Sequence, residues 1–277
     1  MGRVLTEKDV EPAVKGGSVY AAGGGGWADH GRMLGYAAVS IGKPELVDIE
    51  ELSPKDWVAT SAAIGAPAST TAWEMQGRDY VKAVELLQEA LGAPIAGLMV
   101  GQNGKSSTLN AWLPGAILGT KVVDAVGDIR AHPTGDMGSI GMASSPEQSI
   151  QTAVGGNRAE NRYIELVTRG ATAKISPILR TASDMSGGFI ASCRNPVRVS
   201  RRSSSRVARG TAVARCSTRW NTPSTSLAWL YSTPGYATPT ATSSGRGGRA
   251  RTSATCSCAR AACRVVCSAC SRSTTPT

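Results

Sequence analysis

The sequence predicts an α/β domain over residues 1–197, a mostly parallel sheet flanked by helices, followed by a largely disordered Arg/Ser/Thr-rich tail over residues 198–277. Three observations carry this expectation. Short apolar runs alternate with amphipathic stretches, the pattern of buried strands covered by helices. Glycine-bearing loops follow three of those runs, as they do where strands of an open sheet hand over to helices. The composition then breaks at Arg198: from there to the end the chain holds thirteen Arg but no Asp, Glu or Lys.

The elements follow in order. Thr6-Glu7-Lys8-Asp9 reads as a helix start, with a helix running towards Tyr20. Gly23 to Gly26 form a glycine loop, and a second helix passes through Met33 and Ala38, with His30 expected on its surface. Glu45–Ile49 and Trp57–Ile64 read as strands. Gln76–Leu91 is an amphipathic helix, because Tyr80, Val84, Leu87 and Leu91 recur at helical spacing. Ile95–Val100 is a short buried-type strand, Leu109–Leu118 a helix and Lys121–Asp124 a further strand. Tyr163–Thr168 and Thr172–Leu179 read as strands around Arg169-Gly170, with a helix beginning within Ala182–Ser192.

All 20 acidic residues lie before Arg198, against 17 of the 30 basic ones, so the basic character of the whole chain comes from its tail. Nucleic acid is therefore not an expected partner of the first 197 residues; a small molecule is, and a homo-oligomer stays open. The tail has three readings. Its arginines could form a nucleic-acid-binding arm. Cys256, Cys258, Cys263, Cys267 and Cys270 could hold zinc. A GC-rich gene read out of frame would produce the same composition, and the joint loss of Lys, Asp and Glu favours this third reading. No run of about 18 apolar residues predicts a transmembrane helix. The start, Met-Gly-Arg-Val-Leu-Thr-Glu-Lys, has no apolar secretory core, and a single cysteine before the tail, Cys193, suits a reducing cytoplasm.

Ligands of open parallel sheets bind beyond the carboxyl ends of the strands. Three predicted strands end in unusual loops: Ile64-Gly65-Ala66-Pro67, Gly101 to Ser107, and Asp124 to Pro133. Their convergence on one edge is the expected active-site crevice. Gly101-Gln102-Asn103-Gly104-Lys105-Ser106-Ser107 resembles a phosphate cradle, which would make Lys105 a nucleotide contact. The alternative is a plain glycine turn. Asp124, Asp128 and His132 are candidate ligands for a divalent metal, although Gly127 and Pro133 break any helix that would align them. Arg130 suits a carboxylate or carbonyl oxygen, and His132 could shuttle a proton. Gly24, Gly25 and Gly26 allow close backbone approach to a ligand. Cys193 reads either as a thiolate helped by Arg194 or as a small buried side chain.

An ordered set of these residues resembles the N-terminal domain of the S-methyl-thiohydantoin desulfurase family over about residues 4–197. The set comprises Gly16-Gly17-Ser18, Gly23 to Gly26, Ile64-Gly65-Ala66-Pro67 with Glu74, Leu109-Asn110-Ala111-Trp112-Leu113-Pro114, and Val122-Val123-Asp124 with Arg130-Ala131 and Pro133. The chain departs from the family pattern at Lys105 to Thr108, at Val126 and at Ile129, where it lacks expected acidic or glycine residues. The family also continues into a C-terminal domain that the tail does not resemble. The resemblance implies a hydrolase-like domain acting on a small cyclic imide or thiohydantoin-type ring, inactive if the C-terminal domain is needed. Asp124 would activate water, Asn110 and Arg130 would hold ring oxygens, and Gly24–Gly26, Gly65 and Pro67 would shape the pocket.

Overall fold

The computed structural model describes residues 2–21, 24–66, 75–128 and 148–199. Pro67, Arg130, His132 and the segment 200–277 lie outside the described residues, as do the three readings of that segment. Eight strands form one sheet in the order β1-β2-β5-β4-β3-β8-β6-β7. The strands are β1 (Arg3–Val4), β2 (Glu45–Val47), β3 (Trp57–Gly65), β4 (Gly97–Gln102), β5 (Lys121–Asp128), β6 (Ser149–Gly155), β7 (Ile164–Gly170) and β8 (Phe189–Arg198). The helices are α1 (Glu7–Tyr20), α2 (Ala28–Ile41), α3 (Gly77–Leu91), α4 (Trp112–Leu118) and α5 (Thr172–Ser186).

The architecture is α/β, as expected, and the sheet is mixed. Strands β2, β5, β4 and β3 run parallel. β1, β8, β6 and β7 join through antiparallel pairings. The parallel part follows from strand–helix–strand crossovers, which need a helix between each pair of neighbours. Beyond β5 the chain changes logic: β6 and β7 form a hairpin-like pair, and β8 inserts antiparallel between β6 and β3.

Most helices lie where the apolar periodicity puts them. The Asp9 carboxylate accepts the Thr6 N–H at 2.8 Å and caps α1. Tyr80, Val84 and Leu87 of α3 are buried in the main core with Leu34, Leu98, Trp112 and Val122. α3 stops at Gly92, whose left-handed φ of 68° lets its N–H reach back to the Gln88 carbonyl at 2.9 Å.

Two expectations are corrected here. Thr172–Leu179 is the first half of α5, not a strand, and Ala182–Ser192 contains its end and the start of β8. The buried face of α5 is Thr172, Ile175, Ser176, Leu179, Ala182, Ser183 and Ser186. Small polar residues hold four of those places, so the stripe is invisible to a search for apolar side chains. The three serine hydroxyls find internal partners: Ser176 bonds Gln151, Ser183 donates to the Ile64 carbonyl at 3.1 Å, and Ser186 donates to the Ser183 carbonyl at 2.8 Å, whereas Thr172 Oγ1 has none among the described residues. Arg198 and Val199 also belong to the fold despite following the compositional break. Arg198 pairs with Trp57 across β3 and β8, with its guanidinium 4.2 Å from the indole ring centroid.

Candidate functional site

Parallel β3, β4 and β5 deliver their carboxyl ends, at Gly65, Gln102 and Asp128, to one edge of the sheet. The exits of the first two loops share that edge, but the third expectation is corrected: β5 continues to Asp128, which puts Asp124 in mid-strand rather than at the strand's exit. The first turn of α2 and the first turn of α3 come to the same place, because each helix starts where the chain leaves it.

The glycine loop and the turn after β4 form one packed unit. Gly25 and Gly26 have φ of 81° and 78°, in the left-handed region that favours glycine. A Cβ on Gly25 would lie 2.5 Å from the Gly104 Cα, and one on Gly26 would lie 1.9 Å from the Ser106 Oγ. The Gly25 carbonyl accepts the backbone N–H of Ser106 at 2.9 Å and of Ser107 at 3.2 Å. Gly104 N–H donates to Thr108 Oγ1 at 3.1 Å, and Thr108 N–H donates to the Gly104 carbonyl at 3.3 Å. Donors that a phosphate cradle would aim at an anion are thus occupied within the loop and by Gly25. Of the two readings of Gly101–Ser107, these bonds favour the glycine turn, which anchors the glycine loop. Lys105 is exposed at its rim.

Behind this unit sits Asn110. Its side chain is 1% exposed, and neither amide atom has a hydrogen-bond partner. A buried amide without partners costs about 1–3 kcal/mol, so its persistence needs a reason. Its backbone is fixed on both sides: the Asn110 N–H donates to the Ser107 carbonyl at 3.3 Å, and Ser61 Oγ of β3 donates to the Asn110 carbonyl at 2.9 Å. Asp124 is buried on β5. It lies in an irregularity of the β4–β5 pairing, between the registers Leu98↔Val122 and Val100↔Val126. Val122 and Val126 belong to the helix-side core, whereas Val123 and Ala125 pack on the other face, so alternation puts Asp124 on the same face as Asn110.

An aromatic group borders the edge and was not legible as a site. Phe189 opens β8 opposite Gly65. Trp27 meets it with ring centroids 5.0 Å apart, and meets His30 at 6.3 Å. His30 Nε2 lies 3.3 Å from the Tyr80 hydroxyl. His30 is buried, which corrects its expected surface position, and desolvation pulls its pKa down to about 4, leaving it neutral at pH 7. The signal that could have found it is its i, i+4 relation to Leu34, which is also buried.

The other candidates divide. Gly65 is at the edge with φ 126°, but a Cβ there would lie 2.1 Å from the Gly188 carbonyl, so one side of it is closed. Asp128 ends β5, while Arg130 and His132 lie outside the described residues. Among the described residues no three His, Cys, Asp or Glu side chains cluster as metal ligands. Cys193 is fully buried and burial pushes its thiol up to about 12, so its nucleophile reading is corrected to a core side chain. A separate open groove of about 650 Å³ runs along α3 past Arg78, Lys82, Ile117, Arg158 and Tyr163, and none of the expected catalytic, ring-binding or metal residues lines it. No described helix is long and apolar enough to cross a membrane.

The family described as S-Me-THD-like, N-terminal domain, matches residues 8–164. A crystal structure of a protein from Chromobacterium violaceum, a structural-genomics target, superposes with a TM-score of 0.57 at 21% identity. The match covers 82% of this chain and 65% of that one, so the chain spans under two thirds of that neighbour's length. At this identity the likeness speaks to the fold. No curated protein matches the sequence. The chain belongs to the S-Me-THD-like family.

Proposed function

We propose, taking that family membership as the premise, that the carboxyl-edge crevice binds a small cyclic amide or thiohydantoin-type ring and adds water to it. The observation that carries this reading is the Asn110 amide, buried and without a hydrogen-bond partner among the described residues. A side-chain amide presents a donor and an acceptor side by side, which matches the adjacent C=O and N–H of a ring amide. Asp124, on the same face of the sheet, is the group to orient and deprotonate water. Water adds to the sp² ring carbon, the carbon–heteroatom bond to the leaving nitrogen or sulfur breaks, and the proton taken from water returns to the leaving group. Arg130 is assigned to the ring oxygen that gains charge.

The test is turnover of an S-methyl-thiohydantoin and of unsubstituted hydantoin by the full chain and by Asp124→Asn. The reading expects kcat to fall by about 10²–10⁴-fold in the variant with folding intact, the usual worth of a positioned base. Unchanged turnover in the variant removes Asp124 from the mechanism, and absence of turnover on both rings by the parent chain removes the reading.

A further inference from the structure

We propose that Trp27 is the ring-binding residue of this crevice, its indole offering the flat face on which the planar substrate ring lies. The proposal rests on the reading of the carboxyl edge as the substrate crevice. Four observations lead to it.

The first is positional. Trp27 is the N-cap residue of α2, with extended backbone angles of φ −105° and ψ 146° and no side-chain capping hydrogen bond. That position favours Ser, Thr, Asp or Asn, whose oxygen accepts an orphan N–H of the first turn. The indole leaves that cap unmade, as Gln76, Ala111 and Ala171 do at the starts of α3, α4 and α5, so the position matters here for where it puts the ring.

The second is orientation. Phe189 meets the indole at 64° and His30 at 80°, so neither ring lies flat against it. Such tilted contacts fix a ring without covering it as a parallel partner would. Trp27 is half-buried, and its indole N–H has no acceptor among the described residues.

The third is location. The indole directly follows Gly25 and Gly26, which are packed on the Gly104–Ser106 turn at the end of β4. Its neighbour Phe189 pairs with Gly65 at the end of β3. Trp27 therefore bridges the two strand ends that flank Asn110, whose backbone is tied to β3 through Ser61.

The fourth is charge. His30 stays neutral in its buried position against Tyr80, so the wall carries no charge of its own. A neutral aromatic wall suits an uncharged flat ring better than a phosphate or a carboxylate.

The experiment measures calorimetric binding of hydantoin and an S-methyl-thiohydantoin to the full chain, to Trp27→Leu and to Trp27→Phe, with turnover recorded for each. Loss of base-type stacking costs about tenfold in affinity, so Kd and KM should rise by about that factor in Trp27→Leu while kcat changes little, and Trp27→Phe should restore most of the binding. Wild-type affinity in Trp27→Leu, or equal impairment of the two variants, overturns the proposal. Should the leucine variant not fold, ¹⁹F spectra of the 5-fluorotryptophan-labelled chain replace it, with Trp27→Phe assigning the Trp27 line. That line must move when hydantoin saturates the protein, and a stationary line overturns the proposal. Ring binding that depends on Trp27 without turnover of either ring by the parent chain would leave the wall standing and remove the hydrolytic reading; no ring binding to the parent chain would remove both.

Discussion

Replacing Asn110 with leucine should make the protein more stable and less able to bind its ligand. Leucine matches asparagine heavy atom for heavy atom but asks for no hydrogen bonds. Asn110 is 1% exposed with both amide atoms unpartnered, so the parent chain carries the desolvation cost of an unsatisfied amide, about 1–3 kcal/mol. The larger methyl groups of leucine cancel part of that gain through tighter packing. The net expectation is a stabilisation of about 1 kcal/mol, or roughly 2–4 °C in Tm for a domain of this size. Thermal unfolding followed by circular dichroism, with hydantoin binding measured on the same preparations, checks both halves. A variant destabilised by more than about 1 kcal/mol would mean that the amide is satisfied in the folded protein, and the argument that Asn110 is reserved for a ligand would fail.

Further outcomes follow from the same geometry. The unfolded chain holds His30 near its ordinary pKa of 6.5 while the folded chain holds it near 4, so the unfolded state binds the extra proton between those values. Stability should therefore be intact above pH 6.5 and fall by up to about 3 kcal/mol as the pH drops to 4, with His30→Gln flattening that slope in urea titrations. A parent chain whose stability does not depend on His30 in this window would contradict its burial. Gly25→Ala should cost about 2 kcal/mol or more, since the new Cβ meets Gly104 at 2.5 Å and φ is 81°. Urea midpoints check this, and an unchanged midpoint would mean that the glycine loop is not docked on the turn after β4.

The parallel core was legible because its strands are largely apolar runs, and because α3 carries a clean stripe through Tyr80, Val84 and Leu87. Of the antiparallel half only β7 was, as the strand expected over Tyr163–Thr168. β6 places Gln151 and Thr152 in the interior, both fully buried, and β8 adds Ser192, Arg194 and Asn195. Buried polar residues that bond one another, as Gln151 does with Ser176 and Asn195, erase the apolar alternation by which a strand is recognised. The same cause hid α5 behind its serines.

At the site, the order of elements already placed the exits of β3, β4 and β5 on one edge, since parallel topology brings their carboxyl ends together. It left the Gly101–Ser107 loop between two readings because a cradle and a closed turn share the same residues. What separates them is the Gly25 carbonyl, which comes from a segment 81 residues away from Ser106 and takes the donors that an anion would need. Trp27, His30, Tyr80 and Phe189 were missed as a group because they meet only through the packing of α2, α3 and β8. No local spacing links Trp27 with Phe189.

A crystal structure of the full chain soaked with an S-methyl-thiohydantoin tests the central claim most directly. The account predicts the ring at the carboxyl edge, its amide bonded to Asn110 and its face on Trp27, within reach of Asp124. A ring found instead in the groove along α3 beside Arg78 and Ile117, with the carboxyl edge unchanged, would contradict it.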